Sequence, residues 1–196
     1  TGAGTQNNHM AGYSSLYYKD KEHASVGYYK VHLERYDIDV ELTATERVGL
    51  HKYRFPESNQ SRVIIDLGEG SADRPTETYL KKINDTLFQG HRFSSGWARD
   101  QREYFSLIIS KPVDDFILYD RHKKFKGEER KGDYVKGFLE FSTKSNENIM
   151  VKMGISTVSS KNALENMMIE LPHWDFSTVK KDAEKKWEKE LSKIKI

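Results

Sequence analysis

An alternation of period two runs through most of this chain, and it constrains the fold more than any other feature. Ile38, Val40, Leu42 and Ala44 alternate with Asp39, Glu41, Thr43 and Thr45, giving a strand with one apolar and one polar face. Tyr29, Val31 and Leu33 alternate with Lys30, His32 and Glu34 just before it, and Arg35-Tyr36-Asp37 is a short connection. The pair predicts a hairpin. Val135, Gly137, Leu139 and Phe141 show the same pattern, as do Ile149, Val151, Met153 and Ile155. Tyr104 to Ile109 and Phe116 to Tyr119 are continuously apolar instead, as central strands covered on both faces would be. Val63 to Leu67 is a further candidate. Many short strands separated by polar turns predict an antiparallel β-sandwich rather than an α/β fold.

The pattern changes after Thr157. Ser159 and Ser160 are placed to cap a helix through Ala163, Leu164, Met167 and Met168, ended by Pro172. A second helix follows Asp175, with Phe176, Val179, Ala183, Trp187, Leu191 and Ile194 as its apolar stripe. Asp182, Lys186 and Glu190 stand four apart and are expected to pair along the helix. The division is therefore residues 1–158 for the sandwich and 159–196 for the helices. Thr1-Gly2-Ala3-Gly4 does not read as a natural start, and the chain looks like a segment of something longer.

Composition excludes several functions. With 32 Lys and Arg against 30 Asp and Glu, the net charge of +2 gives no basic face for nucleic acid. No cysteine is present, so a disulfide framework, a thiolate nucleophile and a thiolate metal site are all out. No apolar run reaches the roughly 18–20 residues of a membrane-spanning helix.

Chemistry-bearing patterns are sparse. None of the seven histidines pairs with another at zinc-protease spacing, so no metal ligand is assigned. Asp66-Leu67-Gly68-Glu69-Gly70-Ser71 superficially resembles a phosphate loop but lacks its lysine, and reads as a strand-end turn. Arg121 to Asp133, rich in both charges, reads as a solvated hairpin loop. Asp114 and Asp115 are neighbours whose side chains point to opposite faces of a strand, so they cannot flank one glycosidic bond. No catalytic residue is assigned.

Ser94 to Gln101 is the richest stretch. Trp97 stands beside Arg99, Asp100 and Gln101, a combination suited to a sugar. A pyranose stacks its apolar face on an aromatic ring, and amide and carboxylate groups bond its hydroxyls. The plainer reading is that Trp97 fills the core at the start of a strand.

At these residues the chain resembles glycoside hydrolase family 92, in its bacterial, Bacteroides-like form. Glu22 to Val31 is similar to the family's E-x-A-S-P-G-Y-Y-x-V, with Val26 in place of the proline. Glu41 to Pro56 resembles E-L-T-A-T-x-R-x-G-x-H-R-Y-x-F-P, departing from it at Lys52 and Arg54. Phe93 to Gln101, then Tyr104-Phe105 and Ser110-Lys111-Pro112, resemble S-S-G-W-A-x-D-Q, Y-F and S-K-P. Val151 to Trp187 is similar to V-K-x-G-I-S-x-V-S-x-x-N-A, P-x-W-D-F and A-x-x-x-W.

The resemblance implies an exo-acting, calcium-dependent, inverting α-1,2-mannosidase for mannose-rich glycans, periplasmic or extracellular. It implies a supersandwich-like N-terminal β-sandwich, with its first strands missing here, joined by linker helices to an (α/α)-barrel catalytic domain. The catalytic carboxylates and calcium ligands would lie in that domain, so this chain alone is expected to be inactive and to hold no cofactor. Its expected partners are that domain and, through the whole enzyme, a mannose-containing glycan, with Trp97, Arg99, Asp100 and Gln101 as substrate-binding candidates. The apolar stripe of the last helix is expected to face the missing domain, leaving exposed apolar surface around Trp174, Phe176 and Trp187. Two other readings stay open, a self-sufficient carbohydrate-binding module and a purely structural sandwich.

Overall fold

Backbone hydrogen bonding settles where the alternating segments pair. The computed structural model describes residues 12–193; Thr1 to Gly4 and Ile194, discussed above, lie outside them. In chain order the strands are β1 (Glu22–Ser25), β2 (Tyr28–Leu33), β3 (Ile38–Ala44), β4 (Val48–Phe55), β5 (Ser58–Asp66), β6 (Arg74–Lys82) and β7 (Leu87–Ser95). They continue as β8 (Gln101–Ile109), β9 (Asp115–Asp120), β10 (Lys123–Phe125), β11 (Glu129–Gly132), β12 (Val135–Thr143) and β13 (Glu147–Ser156). One nine-stranded sheet has the order β1-β2-β3-β4-β13-β8-β7-β6-β11, and a four-stranded sheet has the order β10-β9-β12-β5. Neighbouring strands are antiparallel throughout, for example β2 with β3, β13 with β8 and β12 with β5.

The expected hairpin forms, with Leu33 opposite Ile38 and Asp37 turning the chain at φ 51°. A short Asp side chain tolerates that left-handed conformation. β12 follows the pattern most cleanly. Val135, Leu139 and Phe141 are buried between the sheets, with Gly137 among them, while Lys136, Phe138 and Glu140 face outward. Together with Phe55, Leu80, Phe88, Leu107, Ile109, Leu118 and Ile149 they form the sandwich core.

Three expectations about the strands need correction. Arg121 to Asp133 is not a simple loop: β10 extends the small sheet beside β9, and β11 extends the large sheet beside β6. The segment's one apolar residue, Phe125, packs against the core beneath the Arg130 guanidinium, 3.7 Å from the ring centroid. This gives the crossing a reason to close down. Phe116 to Tyr119 lies inside its sheet but only Leu118 is fully buried, because the outer face of the small sheet carries Ile117 and Tyr119. On β13 the predicted face buries Ile149 and Val151, but Ile155 is exposed and Lys152 and Gly154 are buried on the opposite face.

That opposite face is covered by helices. α1 (Ser160–Glu170) starts as expected, with the Ser159 hydroxyl accepting from the Asn162 N–H at 3.0 Å. α2 (Phe176–Leu191) is capped by Asp175, which accepts from the Thr178 N–H at 3.1 Å. Val48 and Leu50, whose parity on β4 is opposite to that of Phe55, form a second core with Met167, Leu171, Phe176 and Val179. The stripe of α2 therefore faces the large sheet rather than a further domain over its first half. Phe176 and Val179 are buried, and Trp174 packs partly buried against the same cluster. Trp187 and Leu191, beyond the sheet, are 54% and 52% exposed. Lys186 pairs across to Glu46 in the β3–β4 turn at 2.6 Å, not along its own helix, because the helix lies within reach of that turn.

Candidate carbohydrate-binding hairpin

The β7–β8 connection brings Trp97, Arg99, Asp100 and Gln101 together at one hairpin tip. The tip is tightened by a hydrogen bond from the Gly96 N–H to the Ala98 carbonyl, 2.9 Å. Trp97 is 103% exposed, so it does not fill the core. A ring left wholly in water presents both of its faces to whatever approaches the hairpin. Arg99, Asp100 and Gln101 are exposed beside it. Asp100 accepts from the Arg102 Nε at 3.1 and 3.2 Å, and the Gln101 amide donates to Glu103 at 3.4 Å.

Behind the tip lies an aromatic stack that the sequence reading did not assemble. On the helix-bearing face of the large sheet, the His91 and Phe93 rings are stacked at 4.3 Å, and Tyr104 meets both edge-on. Tyr79 stacks on the other side of His91 at 5.4 Å, and Arg102 stands over Phe93. The available signal was the spacing of His91 and Phe93, two apart on one strand and therefore on one face. His91 is oriented by Glu77 at 2.9 Å, which also takes Lys131 at 2.7 Å.

The other candidates are committed elsewhere. Asp114 accepts from the Ser142 N–H, and Asp115 from the Phe116 N–H. His32 is held by Asp39 and His51 by the Tyr53 hydroxyl, with burial pushing the His51 pKa down. Among the described residues no three metal-ligating side chains converge. A groove of about 770 Å³ runs between α2 and the β3–β4 turn, walled by Ala44, Glu46, Val179, Ala183, Lys186 and Trp187. No helix among the described residues is long and apolar enough to cross a membrane.

Residues 1–156 match the family model described as the glycosyl hydrolase family 92 N-terminal domain. An α-mannosidase of family GH92 from Bacteroides thetaiotaomicron superposes with a TM-score of 0.90 at 32% identity, over 97% of this chain. The same enzyme has been solved in complex with mannoimidazole. A family GH92 inverting mannosidase from Bacteroides thetaiotaomicron, at 20% identity and a TM-score of 0.78, shares the fold over 88% of this chain. An uncharacterized secreted glycosidase of Arthroderma benhamiae is 24% identical over 92% of this chain. The chain spans 26% of the length of both the first mannosidase and the secreted glycosidase.

Proposed function

This chain belongs to glycosyl hydrolase family 92 as its N-terminal domain, and from that membership we propose that it serves an exo-acting, inverting α-1,2-mannosidase degrading mannose-rich glycans. In this reading the sandwich supports an (α/α)-barrel catalytic domain, and residues 159–196 form the linker towards it. The exposed end of α2, with Trp187 and Leu191, meets that domain. The hairpin forms one wall of the substrate pocket: Trp97 offers a ring to a mannose face, and Arg99, Asp100 and Gln101 exchange hydrogen bonds with its hydroxyls. The observation that carries the reading is Trp97, 103% exposed on a hydrogen-bonded turn. The sequence kinship to an α-mannosidase at 32% identity supports the substrate class. The enzyme would work in the periplasm or outside the cell, in line with the relative described as secreted.

Any calcium of the whole enzyme is proposed to sit in the catalytic domain, as the resemblance to the family implies. No three carboxylate or histidine groups converge among the described residues, and Asp100 is already engaged by Arg102. What the hairpin can do is bind and orient a sugar; it has no pair of carboxylates to cleave one.

The test is hydrolysis of α-1,2-mannobiose with added calcium, comparing this chain with a polypeptide extended through the following domain. Activity in the longer protein alone, lowered by Trp97→Ala, supports the reading. Activity in this chain alone would overturn it. A second reading, a carbohydrate-binding module that needs no catalytic domain, is favoured by the same exposed indole. It predicts mannoside binding by this chain but no hydrolysis by the longer protein.

A further inference from the structure

The glycine-rich turn after β5 holds no phosphate lysine, but it wraps an arginine. Arg92 on β7 donates through Nη1 and Nη2 to the two oxygens of Asp73, at 2.6 and 2.9 Å. Its Nε donates to the Leu67 carbonyl at 3.1 Å, so both ends of the Leu67 to Asp73 loop close on one guanidinium. Gly70 lies against this pair so closely that a Cβ there would stand 2.0 Å from Asp73 Oδ1 and 2.3 Å from Arg92 Nη2. The far side of the same loop touches the hairpin. A Cβ on Gly96 would stand 2.8 Å from the Ala72 carbonyl oxygen and 2.9 Å from Asp73 Cα. Ala72 itself is held at φ 62°, a left-handed conformation that an alanine adopts only where its surroundings impose it.

Gly96 immediately precedes Trp97, so the loop fixes the backbone from which the indole projects. We infer that Arg92, Asp73 and Gly96 are positioning residues that hold Trp97 ready to meet a mannoside. The inference rests on the reading of Trp97 as a sugar contact. An indole wholly in water has no neighbours of its own to fix it, and a ring ordered before binding loses less entropy on binding. The Arg92 guanidinium also holds the Asp73 carboxyl down to about 2, so the pair persists at neutral and mildly acidic pH.

The experiment labels the three tryptophans of this chain with 5-fluorotryptophan. The Trp97 resonance is identified by its loss in Trp97→Phe, and α-1,2-mannobiose is the titrant. The expected result is a Trp97 resonance that moves on titration in the parent sequence. In Asp73→Asn and Gly96→Ala it should sit elsewhere before sugar is added, and mannobiose should bind about 10-fold more weakly or worse. Arg92→Lys, which keeps the charge but loses the two-pronged contact, should fall between. Binding and a Trp97 resonance equal to the parent's in a folded Asp73→Asn protein would overturn the inference while leaving the sugar reading intact. A Trp97 resonance that ignores mannobiose both in this chain and in the polypeptide extended through the following domain would overturn both.

Discussion

Gly27 lies directly against Ala183: a Cβ added at Gly27 would stand 2.9 Å from the Ala183 methyl carbon. Gly27 turns the chain between β1 and β2 at φ 73°, and its carbonyl accepts from the Thr43 hydroxyl at 2.8 Å. The contact lets α2 settle onto the β2–β3 end of the large sheet. Gly27→Ala should destabilise the chain by about 1–3 kcal/mol from overpacking, with about 1–2 kcal/mol more from the left-handed backbone. Urea unfolding measures this. Ala183→Gly should recover part of the loss in the double variant; strict additivity would mean that the close approach is not the cause.

Lys152 is the buried cation of the helix-facing layer. It is 4% exposed, donates to the Leu171 carbonyl at 2.9 Å and lies 4.2 Å from the centre of the Trp174 ring. Burial pushes its pKa below the ordinary 10.5. Between that lowered value and 10.5 the unfolded chain binds the extra proton, so this group makes stability rise with pH there. Lys152→Met should be at least as stable as the parent at pH 7, since an apolar isostere avoids the desolvation. Its advantage should shrink as pH climbs to 10.5. Melting temperatures of the two proteins across that range check it, and a constant difference would show that Lys152 does not titrate in the fold.

Asp73 gives the opposite sign. Its carboxyl is lowered from 3.8 to about 2, chiefly by the hydrogen bonds from Arg92. The stabilisation is therefore complete above 3.8 and is lost as pH falls through about 2. Asp73→Asn should be less stable at pH 7, and its deficit should close on acidification through that window. Denaturant midpoints at pH 7, 4, 3 and 2 follow the two curves. A deficit unchanged at pH 2 would assign the loss to shape rather than to charge.

Much of this architecture was legible because strand alternation and helix caps are local. The β2–β3 hairpin, the inward set of β12 and the Ser159 cap need only residues a few positions apart. What was not legible depends on which layer covers which face. Nothing near Lys152 in sequence says that α1 will lie over its side of β13, and nothing near Lys186 says that Glu46 will be in reach. The division of β10 and β11 between two sheets is equally non-local, since each completes a strand edge formed elsewhere. At the hairpin the residue types were readable and the exposure of Trp97 was not, because a tryptophan between two strands suits a core and a contact surface equally well. Its support, Asp73 with Arg92, joins positions 19 apart and left no periodic trace.

The two halves of α2 should differ sharply under substitution. Phe176 and Val179 are buried against Val48 and Leu50, whereas Trp187 and Leu191 continue the same stripe past the sheet into solvent. Phe176→Ala should cost about 3–5 kcal/mol, as buried aromatic deletions do. Trp187→Ala should stay within about 0.5 kcal/mol. Hydrogen exchange should report the same gradient, with amides around Val179 protected and those around Glu190 exchanging through local fraying. In a polypeptide extended through the following domain the second half should become protected, and Trp187→Ala should then destabilise. If Trp187→Ala were already costly in this chain, the end of α2 would be packed on the sandwich itself, and the proposed contact with a catalytic domain would lose its surface.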